Sequence, residues 1–451
     1  MEQKRSSFTG KLGFVLAAAG SAVGLGNIWR FPYLAAEYGG GMFLLVYVIL
    51  AITFGFALMC GEIALGRKTG MSAISAFSTL NKKFGFVGVL AAIVPALILP
   101  YYSVIGGWVT KYLTVFVAGQ DMAAAETSFF GGFISQPYQP LIFFAIFIGI
   151  TALIVLLGVE KGIENVSKVL MPVLVVLTLF VAIYGLFMPG AIDGVIYYIK
   201  PDLSHFSIKT VLAALGQLFY SMSLAMGIMI TYGSYMKKEV RIESSVSQIE
   251  IFDTGIAFLA GLMIIPAAFP YFSGAEEGAI KGPGLMFNTL PKVFATMPGG
   301  RIIGIVFFLL VLLAALTSSI SLMETVVSII RDKFKMGRTA ACLLVLGFSI
   351  ILGIPSSLGN GAWSNVLIFG MDILTFFDFI TNSILMPIVA LLTCIFIGFV
   401  IKPETLIEEI ESTGTFKRKG IFKVIIKWIA PICILLILIS SILDAFGIFT
   451  I

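Results

Sequence analysis

The sequence is poor in charged residues, histidine and cysteine. Aspartate, glutamate, lysine and arginine make up 12% of its 451 residues, and there is one histidine, His205. His205 lies in a predicted external loop, apart from the cysteines, so the sequence offers no His/Cys metal cluster and no hydrolase triad, and it argues against an enzyme. The formal net charge of +5 is small and gives no sign of nucleic-acid binding.

The four cysteines carry no information about the redox compartment. All of them fall within apolar stretches, where cysteine behaves as a small hydrophobic side chain: Cys60, Cys342, Cys394 and Cys433. No predicted external loop offers a cysteine pair for a disulfide bond, which is the usual sign of an oxidising compartment.

Hydrophobic residues, by contrast, make up 59% of the chain, and the mean hydropathy is +1.05. This composition predicts an all-α polytopic membrane protein, because no stretch alternates polar and apolar residues as a barrel strand would. Long apolar runs predict eleven spanning helices in one transmembrane domain over residues 1–451, at 11–37, 40–66, 84–117, 138–157, 164–187, 209–235, 245–272, 299–334, 338–354, 364–401 and 421–447.

Lysine and arginine are unevenly distributed over the predicted loops. With a cytoplasmic N-terminus, roughly three-quarters of the basic residues lie on the cytoplasmic side, as the positive-inside rule requires. The odd number of helices then places the C-terminus outside. We therefore expect a multi-pass protein with its N-terminus in the cytoplasm and its C-terminus outside the cell.

The first predicted helix contains three glycines within seven residues, in the stretch GSAVGLGN at 20–27. Glycine weakens a helix, and a broken helix is tolerated in a membrane only where protein or a polar cavity covers the freed backbone groups. Freed carbonyls can coordinate a cation, and N–H groups at the start of the next half-helix can hold an anion. The alternative is a glycine-packed contact between unbroken helices.

A second interruption is predicted within 209–235, where residues 216–227 combine hydroxyl groups with glycine. It opens the second set of five helices, just as the first interruption opens the first set. Interrupted helices at matching positions indicate an inverted-repeat transporter with its binding site between them. The repeats would cover about 11–187 and 209–401, with helix eleven at 421–447 outside them.

Several motifs occur in the order typical of one family. They are GSAVGLGN followed by IWRFP at 28–32, three glycines at 39–41, Tyr101-Tyr102, GQLFYS at 216–221 and LTSS at 316–319. With these motifs the chain resembles the neurotransmitter:sodium symporters, which share the leucine-transporter fold. It is similar in particular to the short bacterial amino-acid transporters of eleven helices. The resemblance implies a bacterial cytoplasmic membrane, a five-plus-five inverted repeat with helices 1 and 6 broken, and alternating access.

The resemblance also implies two sodium sites built from carbonyl, amide, hydroxyl and carboxylate oxygens. The first site would use Ala22, Asn27, Ser221 and Asp253, and the second would use Gly20, Val23, Ala314, Thr317 and Ser318. The hydroxyl groups at 317–319 have an alternative role, because serine and threonine in helices often bond to their own backbone.

Asp253 departs from the family pattern, in which asparagine is common at this position. Many animal relatives bind chloride near Tyr47, Gln217 and Ser221. A carboxylate at Asp253 would supply that negative charge directly, so we expect transport to be independent of chloride. Two alternatives are an alignment shifted by one residue onto Phe252, and an aspartate at a helix margin that faces the cytoplasmic loop.

A substrate pocket follows from the same resemblance, lined by Ser21, Ala22, Leu25, Gly26, Ile98, Tyr102, Tyr220, Ser221, Ser223, Met226, Ser318 and Leu322. Amine-transporting relatives have an aspartate at the position of Gly24, where it pairs with the substrate ammonium. Glycine supplies no charge, so a carboxylate beside the first sodium would come from an amino-acid substrate. The apolar lining favours a hydrophobic or aromatic side chain on that substrate.

Charge pairs are expected to gate the two ends of the pathway. Arg30 would pair with Asp378 on the outer side, and Arg5 with Asp332 on the inner side. Exposed ion pairs contribute only about 0–1 kcal/mol each, which suits a gate that must open. Phe8 stands where relatives have tryptophan, so the inner gate would be looser.

These features predict sodium-coupled import of hydrophobic or aromatic L-amino acids by a monomer or weak dimer. A proton-coupled or exchange-type carrier on the same fold is the alternative, with Asp253 as the proton carrier. A channel would need a continuous polar pore, whereas the polar residues cluster at mid-membrane. Two further intramembrane carboxylates, Glu62 and Glu324, are assigned to helix packing or inner-side networks.

Overall fold

A computed structural model describes residues 7–188, 190–272 and 283–445. Within these ranges the protein is helical and has no strand, only an isolated bridge between Ile368 and Met371. Nine described helices are long and apolar enough to span a membrane: Gly41–Thr69, Lys82–Val117, Gln139–Leu156, Val159–Gly185, Ile242–Ala267, Gly300–Phe334, Arg338–Leu358, Ile373–Val400 and Lys419–Leu443.

The two predicted interruptions account for the other two spans. Lys11–Ala22 and Gly26–Glu37 form a pair bent by 51°. Ile208–Ser221 and Ile228–Ser234 are separated by a non-helical segment, 222–227. Counting each pair as one span, we number the spans 1 to 11 in chain order, so that spans 1 and 6 are the broken ones. The predicted all-α fold with two broken helices is confirmed.

Two spans begin five or more residues away from their predicted starts. Span 10 begins at Ile373 rather than at 364, because Phe369 and Gly370 have left-handed φ values of 51° and 80°. The carboxylate of Asp372 then caps the helix by accepting a hydrogen bond from the Thr375 N–H at 3.1 Å. Span 5 begins at Val159 rather than at 164, directly after Gly158, whose φ is 96°.

From its sequence, the external segment 273–298 is either a cap over an outer vestibule or an ordinary surface loop, because its prolines alternate with apolar residues. Residues 273–282 lie outside the described part of the chain. The rest forms Leu285–Thr289 and Leu290–Thr296, which are largely buried. The Phe287 ring centroid lies 5.0 Å from that of Tyr112 and 4.9 Å from that of Phe130. This packing agrees with a cap that covers the outer end of span 3.

The site helices lie at the centre of the bundle. In the apolar stretch of span 8, 67% of the residues are buried inside the protein, against 33% for spans 5 and 11. Spans with apolar side chains all round can be exposed to lipid, whereas polar groups at membrane depth need protein partners. The hydroxyl groups of span 8 accordingly have protein partners. Ser318 bonds to span 1, Ser319 to span 4 and Ser321 to span 6.

A short helix at the predicted cytoplasmic end, Pro403–Glu411, was not foreseen from the sequence. It is fixed by Arg67, whose guanidinium donates to Glu409 Oε1 at 2.7 Å and to the Val240 carbonyl at 2.6 Å. The ammonium of Lys238 reaches the same Glu409 oxygen at 2.8 Å. The Arg67 side chain has no exposed surface. The pair therefore ties the ends of spans 2 and 6 to the connection between spans 10 and 11.

Replacing Arg67 with glutamine is expected to lower the unfolding temperature of the detergent-solubilised protein. Removing one partner of a buried ion pair costs up to about 3–5 kcal/mol when the other charge is left alone. The loss is expected to be smaller here, because Lys238 still pairs with Glu409, and it arises from the lost hydrogen bonds of Arg67 to Glu409 and to the Val240 carbonyl. Lys68→Gln, at the neighbouring position in the same helix, serves as the matched control. Equal unfolding temperatures for the two variants would contradict a structural role of the Arg67–Glu409 pair.

Candidate functional site

The break in span 1 leaves backbone groups free at the centre of the bundle. The helix Lys11–Ala22 ends as the Val23 N–H bonds to the Ala19 carbonyl at 2.7 Å, and Val23 itself has an extended ψ of 102°. The chain becomes helical again by Gly26. All residues from Gly13 to Ile28 are buried. The carbonyl and N–H groups of this break therefore face protein or the central cavity.

The break in span 6 is held in an unfavourable backbone conformation. Ser223 and Ala225 have left-handed φ values of 52° and 60°, and Gly227 follows at 68°. Non-glycine residues in this region cost of order 1–3 kcal/mol each and persist only where the surroundings enforce them. Here the Glu62 carboxylate accepts a hydrogen bond from the Ala225 N–H at 2.7 Å. The structure thus places Glu62 as a support of the unwound segment.

Four residues from four spans form a buried polar cluster beside the break in span 1. The Asn27 amide donates to Asp253 Oδ1 at 2.7 Å and to Ser221 Oγ at 3.0 Å. Ser221 Oγ also donates to Asp253 Oδ1 at 2.7 Å, and the Tyr47 hydroxyl donates to Asp253 Oδ2 at 3.1 Å. Asp253 has no exposed surface. The structure therefore brings together the side chains predicted for the first sodium site, and Asp253 does not face a loop.

The residues predicted for the second sodium site meet where span 1 packs on span 8. A methyl group at Gly20 would lie 3.3 Å from Cβ of Thr317, so the two helices approach closely. The Thr317 hydroxyl donates to the Ala314 carbonyl at 3.0 Å, which is the back-bonding alternative. The Ser318 hydroxyl donates across to the Ser21 carbonyl at 3.0 Å and lies 3.5 Å from the Val23 carbonyl. Both hydroxyl groups thus point toward carbonyl oxygens of the helix contact.

A cavity lies between the two breaks and spans 3 and 8. Its lining includes every residue predicted for the substrate pocket except Ser221, which points into the polar cluster with Asp253. Two lining residues, Gly24 and Ile228, were not in the predicted set. The complete lining is Ser21, Ala22, Gly24, Leu25, Gly26, Ile98, Tyr102, Tyr220, Ser223, Met226, Ile228, Ser318 and Leu322.

Glycine is required at two positions of the cavity wall. A methyl group at Gly24 would lie 2.5 Å from Ser318 Oγ and 3.1 Å from the Tyr102 hydroxyl. At Gly26 it would lie 2.7 Å from the Tyr220 ring. The larger side chain of an aspartate at Gly24 would therefore occupy the cavity itself.

The outer gate residues are near the cavity but are not in contact with each other. The Arg30 guanidinium carbon lies 5.4 Å from the centroid of the Tyr220 ring, which lines the cavity. The Asp378 carboxylate accepts a hydrogen bond from Asn382 at 2.6 Å. No ion pair of 4 Å or less joins Arg30 to Asp378 among the described residues. In this conformation Arg30 is held by the aromatic ring, and the predicted direct pair is not formed.

At the predicted inner end, Arg5 lies outside the described residues. Its predicted partner, Asp332, accepts hydrogen bonds from the Ser72 N–H at 2.8 Å and the Ser72 hydroxyl at 2.6 Å. Phe8 is buried, and its N–H donates to the Tyr235 carbonyl at 3.0 Å. The start of span 1 is thus attached to the end of span 6.

The second intramembrane carboxylate, Glu324, also belongs to this inner end. It pairs with Arg338 at 2.5 Å and accepts a hydrogen bond from the Tyr235 hydroxyl at 2.7 Å. Spans 6, 8 and 9 meet through this network, which lies away from the cavity lining. The assignment of Glu324 to an inner-side network agrees with this arrangement.

The profile of the sodium:neurotransmitter symporter family matches residues 5–123 and 134–447. The chain belongs to this family. A protein of Haemophilus influenzae described as an uncharacterized sodium-dependent transporter is 35% identical over 97% of this chain and 98% of its own. A Bacillus subtilis protein, the uncharacterized sodium-dependent transporter YhdH, is 35% identical over 98% of both chains.

A solved structure with the same fold supports the assignment of the chain to this family. The crystal structure of MhsT in complex with L-phenylalanine is 38% identical, with a TM-score of 0.88 over 97% of this chain and 100% of that one. The leucine-transporter fold predicted for the chain is confirmed. The symporter family consists of membrane transporters that use sodium, so the protein is a sodium-dependent transporter and not an enzyme.

Proposed function

We propose that this symporter imports L-amino acids with hydrophobic or aromatic side chains together with sodium. The observation that carries the proposal is that Gly24 lines the cavity without a charged side chain, beside the polar cluster of Asn27, Ser221 and Asp253. No carboxylate lines the described cavity, so the substrate itself would bring one to the first sodium. The N-terminus would lie in the cytoplasm of a bacterium and the C-terminus outside.

The substrate carboxylate is proposed to bind at the break in span 1. The Leu25 N–H lies 3.4 Å from the Tyr102 hydroxyl, and both line the cavity. Backbone N–H groups at the start of a half-helix favour an anion, and a hydroxyl donor strengthens the binding of a carboxylate. Carbonyls of the unwound segment of span 6 would receive the substrate ammonium.

The substrate side chain is proposed to lie against the apolar part of the cavity wall. Ile98, Met226 and Leu322 supply that part, together with Ile228 and the Tyr220 ring. Met226 is unbranched and flexible, so it can adapt to side chains of different size. The complex of MhsT with L-phenylalanine, at 38% identity, supports an aromatic substrate here.

Two sodium ions are proposed as co-transported substrates. The first would bind the Ala22 carbonyl with Asn27, Ser221 and Asp253, and would take the substrate carboxylate as a further ligand. The second would bind between spans 1 and 8, at the carbonyls of Gly20, Val23 and Ala314 with the hydroxyls of Thr317 and Ser318. Two sodium ions carry two charges inward, worth about 4.6 kcal/mol at 100 mV. That is enough for roughly thousandfold accumulation.

Uptake is expected to be equally fast in sodium chloride and sodium gluconate. The Asp253 carboxylate already lies within hydrogen-bonding distance of Tyr47 and Ser221, so a chloride ion there would meet a fixed negative charge. The measurement is initial uptake of labelled phenylalanine into proteoliposomes under both anions. Asp253→Asn, which keeps the shape and removes the charge, is expected to depend on chloride. Loss of wild-type uptake in gluconate would contradict chloride independence.

The function itself is tested by binding of a panel of labelled amino acids to the purified protein. Leucine, phenylalanine, tryptophan and glycine would be compared in sodium and in potassium buffer. Sodium-dependent binding of the large apolar amino acids supports the proposal. Uptake driven by a pH gradient in the absence of sodium would instead support a proton-coupled carrier.

A further inference from the structure

Span 11 carries three lysines on one face, at intervals of four residues. The first two are paired with carboxylates of the short helix Pro403–Glu411. Lys419 Nζ lies 3.1 Å from Glu411 Oε1, and Lys423 Nζ lies 2.7 Å from Glu404 Oε1. Residues four apart share a helix face, so the third lysine, Lys427, continues the same row. Among the described residues no carboxylate lies within 4 Å of its ammonium group.

The charge of Lys427 acts on the Glu404 carboxylate, but that carboxylate is already paired with Lys423. Its pKa lies below the usual value because Lys423 donates a hydrogen bond to it, with smaller contributions from the charges of Lys423 and Lys427. The carboxylates of the short helix therefore pair with Lys419 and Lys423, the two outer lysines of the row. Lys427, the deepest of the three, has no such pair among the described residues. Lys427 lies about 12 Å further along the helix axis than Lys419, at 1.5 Å per residue.

The surroundings of Lys427 are aromatic and open to lipid. Its ammonium nitrogen lies 5.6 Å from the ring centroid of Phe399 on span 10 and 5.6 Å from that of Trp428. The two rings are perpendicular, with centroids 5.9 Å apart. Phe399 is 48% exposed and Trp428 is 57% exposed, so both face outward from the bundle.

Spans 10 and 11 approach closely beside these rings. A methyl group at Gly398 would lie 3.3 Å from Cα of Lys427. The backbone contact fixes the position of Phe399 relative to the lysine. The aromatic rings attract the Lys427 ammonium but do not neutralise its charge. A charge at membrane depth needs a counter-charge or must extend to the headgroups. The protein supplies the aromatic walls of a site here and not the anion.

The geometry points to a binding site for an anionic phospholipid of the cytoplasmic leaflet, with its headgroup phosphate on Lys427 and its glycerol and upper acyl chain against Phe399 and Trp428. Basic residues beside a membrane attract anionic lipid, and tryptophan prefers the headgroup level. A free phosphate ion would match the ammonium but would leave the two outward-facing rings uncovered. The combination of one unpaired lysine and two lipid-exposed rings favours the lipid.

Native mass spectrometry of the full-length protein tests this inference. The protein in detergent is exposed to equal amounts of phosphatidylglycerol and phosphatidylcholine, and retained lipids are counted. We expect wild type to retain phosphatidylglycerol about fivefold over phosphatidylcholine, the factor that corresponds to about 1 kcal/mol for one lysine near an anionic surface. Lys427→Met is expected to lose this preference, and Lys427→Arg to keep it. Lys333→Met, which removes an exposed lysine at the end of span 8, is the matched control.

Three outcomes would overturn the inference. They are no preference for phosphatidylglycerol in wild type, an unchanged preference in Lys427→Met, and displacement of the lipid by millimolar inorganic phosphate. The last would assign the site to a free phosphate ion. Unfolding temperatures of all variants are measured beside the lipid counts. If Lys427→Met does not fold, the wild-type preference and the competition with inorganic phosphate still decide.

Discussion

Replacing Gly24 with alanine is expected to reduce sodium-driven amino-acid uptake by about a hundredfold, which corresponds to about 2.7 kcal/mol. The added methyl group would lie 2.5 Å from Ser318 Oγ and 3.1 Å from the Tyr102 hydroxyl. Ser318 cannot give way freely, because its hydroxyl is bonded to the Ser21 carbonyl at 3.0 Å. The methyl group would therefore take the space proposed for the substrate carboxylate. Initial uptake of labelled phenylalanine into proteoliposomes measures the effect.

Gly216→Ala is the matched control for this substitution. Gly216 lies on the first half of span 6, and a methyl group there meets no atom within 4 Å. Alanine favours a helix over glycine by about 1 kcal/mol, so this variant should fold and transport like wild type. Wild-type uptake by Gly24→Ala would contradict the placement of the substrate carboxylate. Loss of folding is recognised by comparing unfolding temperatures.

The backbone of the site could be predicted from the sequence because its signal is local. Three glycines inside one apolar run predict a break in span 1, and the structure interrupts the helix at 23–24. The break in span 6 was also expected, but the left-handed Ser223 and Ala225 were not. Residues other than glycine rarely adopt this backbone conformation. Here it is supported by the hydrogen bond from the Ala225 N–H to Glu62, which lies 163 residues away along the chain. No local pattern contains that contact.

Side-chain direction was harder to predict than membership of the site. Ser221 was assigned to both the sodium site and the substrate pocket, and the structure turns it toward Asp253 and away from the cavity. Ile228 lines the cavity, but an isoleucine in an apolar helix gives no sign of this in the sequence. The Arg67–Glu409 pair joins positions 342 residues apart, and its helix Pro403–Glu411 is too short for a hydropathy pattern. Such features depend on tertiary packing alone.

Replacing Asp253 with alanine is expected to weaken the apparent affinity for sodium by about thirtyfold or more. Truncating one partner of a buried, hydrogen-bonded charge costs about 2–5 kcal/mol. Asp253 accepts hydrogen bonds from Asn27, Ser221 and Tyr47, so its removal takes away the buried charge and the acceptor that these three donors share. Ser221 Oγ remains as a neutral acceptor for Asn27 and Tyr47. The sodium concentration that gives half-maximal binding of labelled phenylalanine measures the effect. Scintillation proximity on purified protein avoids any contribution from the membrane potential.

Glu250→Ala separates this effect from the general loss of a carboxylate on span 7. Glu250 lies three residues earlier on the same helix and pairs with Arg418 at 3.4 Å. Within the described part of the chain it makes no hydrogen bond to Asn27, Ser221 or Asp253. It should leave the sodium dependence unchanged, even where it lowers stability. Unaltered sodium affinity in Asp253→Ala would contradict the first site. If Asp253→Ala instead abolished uptake driven by a pH gradient while sodium binding stayed intact, the carboxylate would carry a proton. The two variants therefore distinguish a sodium ligand from a proton carrier at one position.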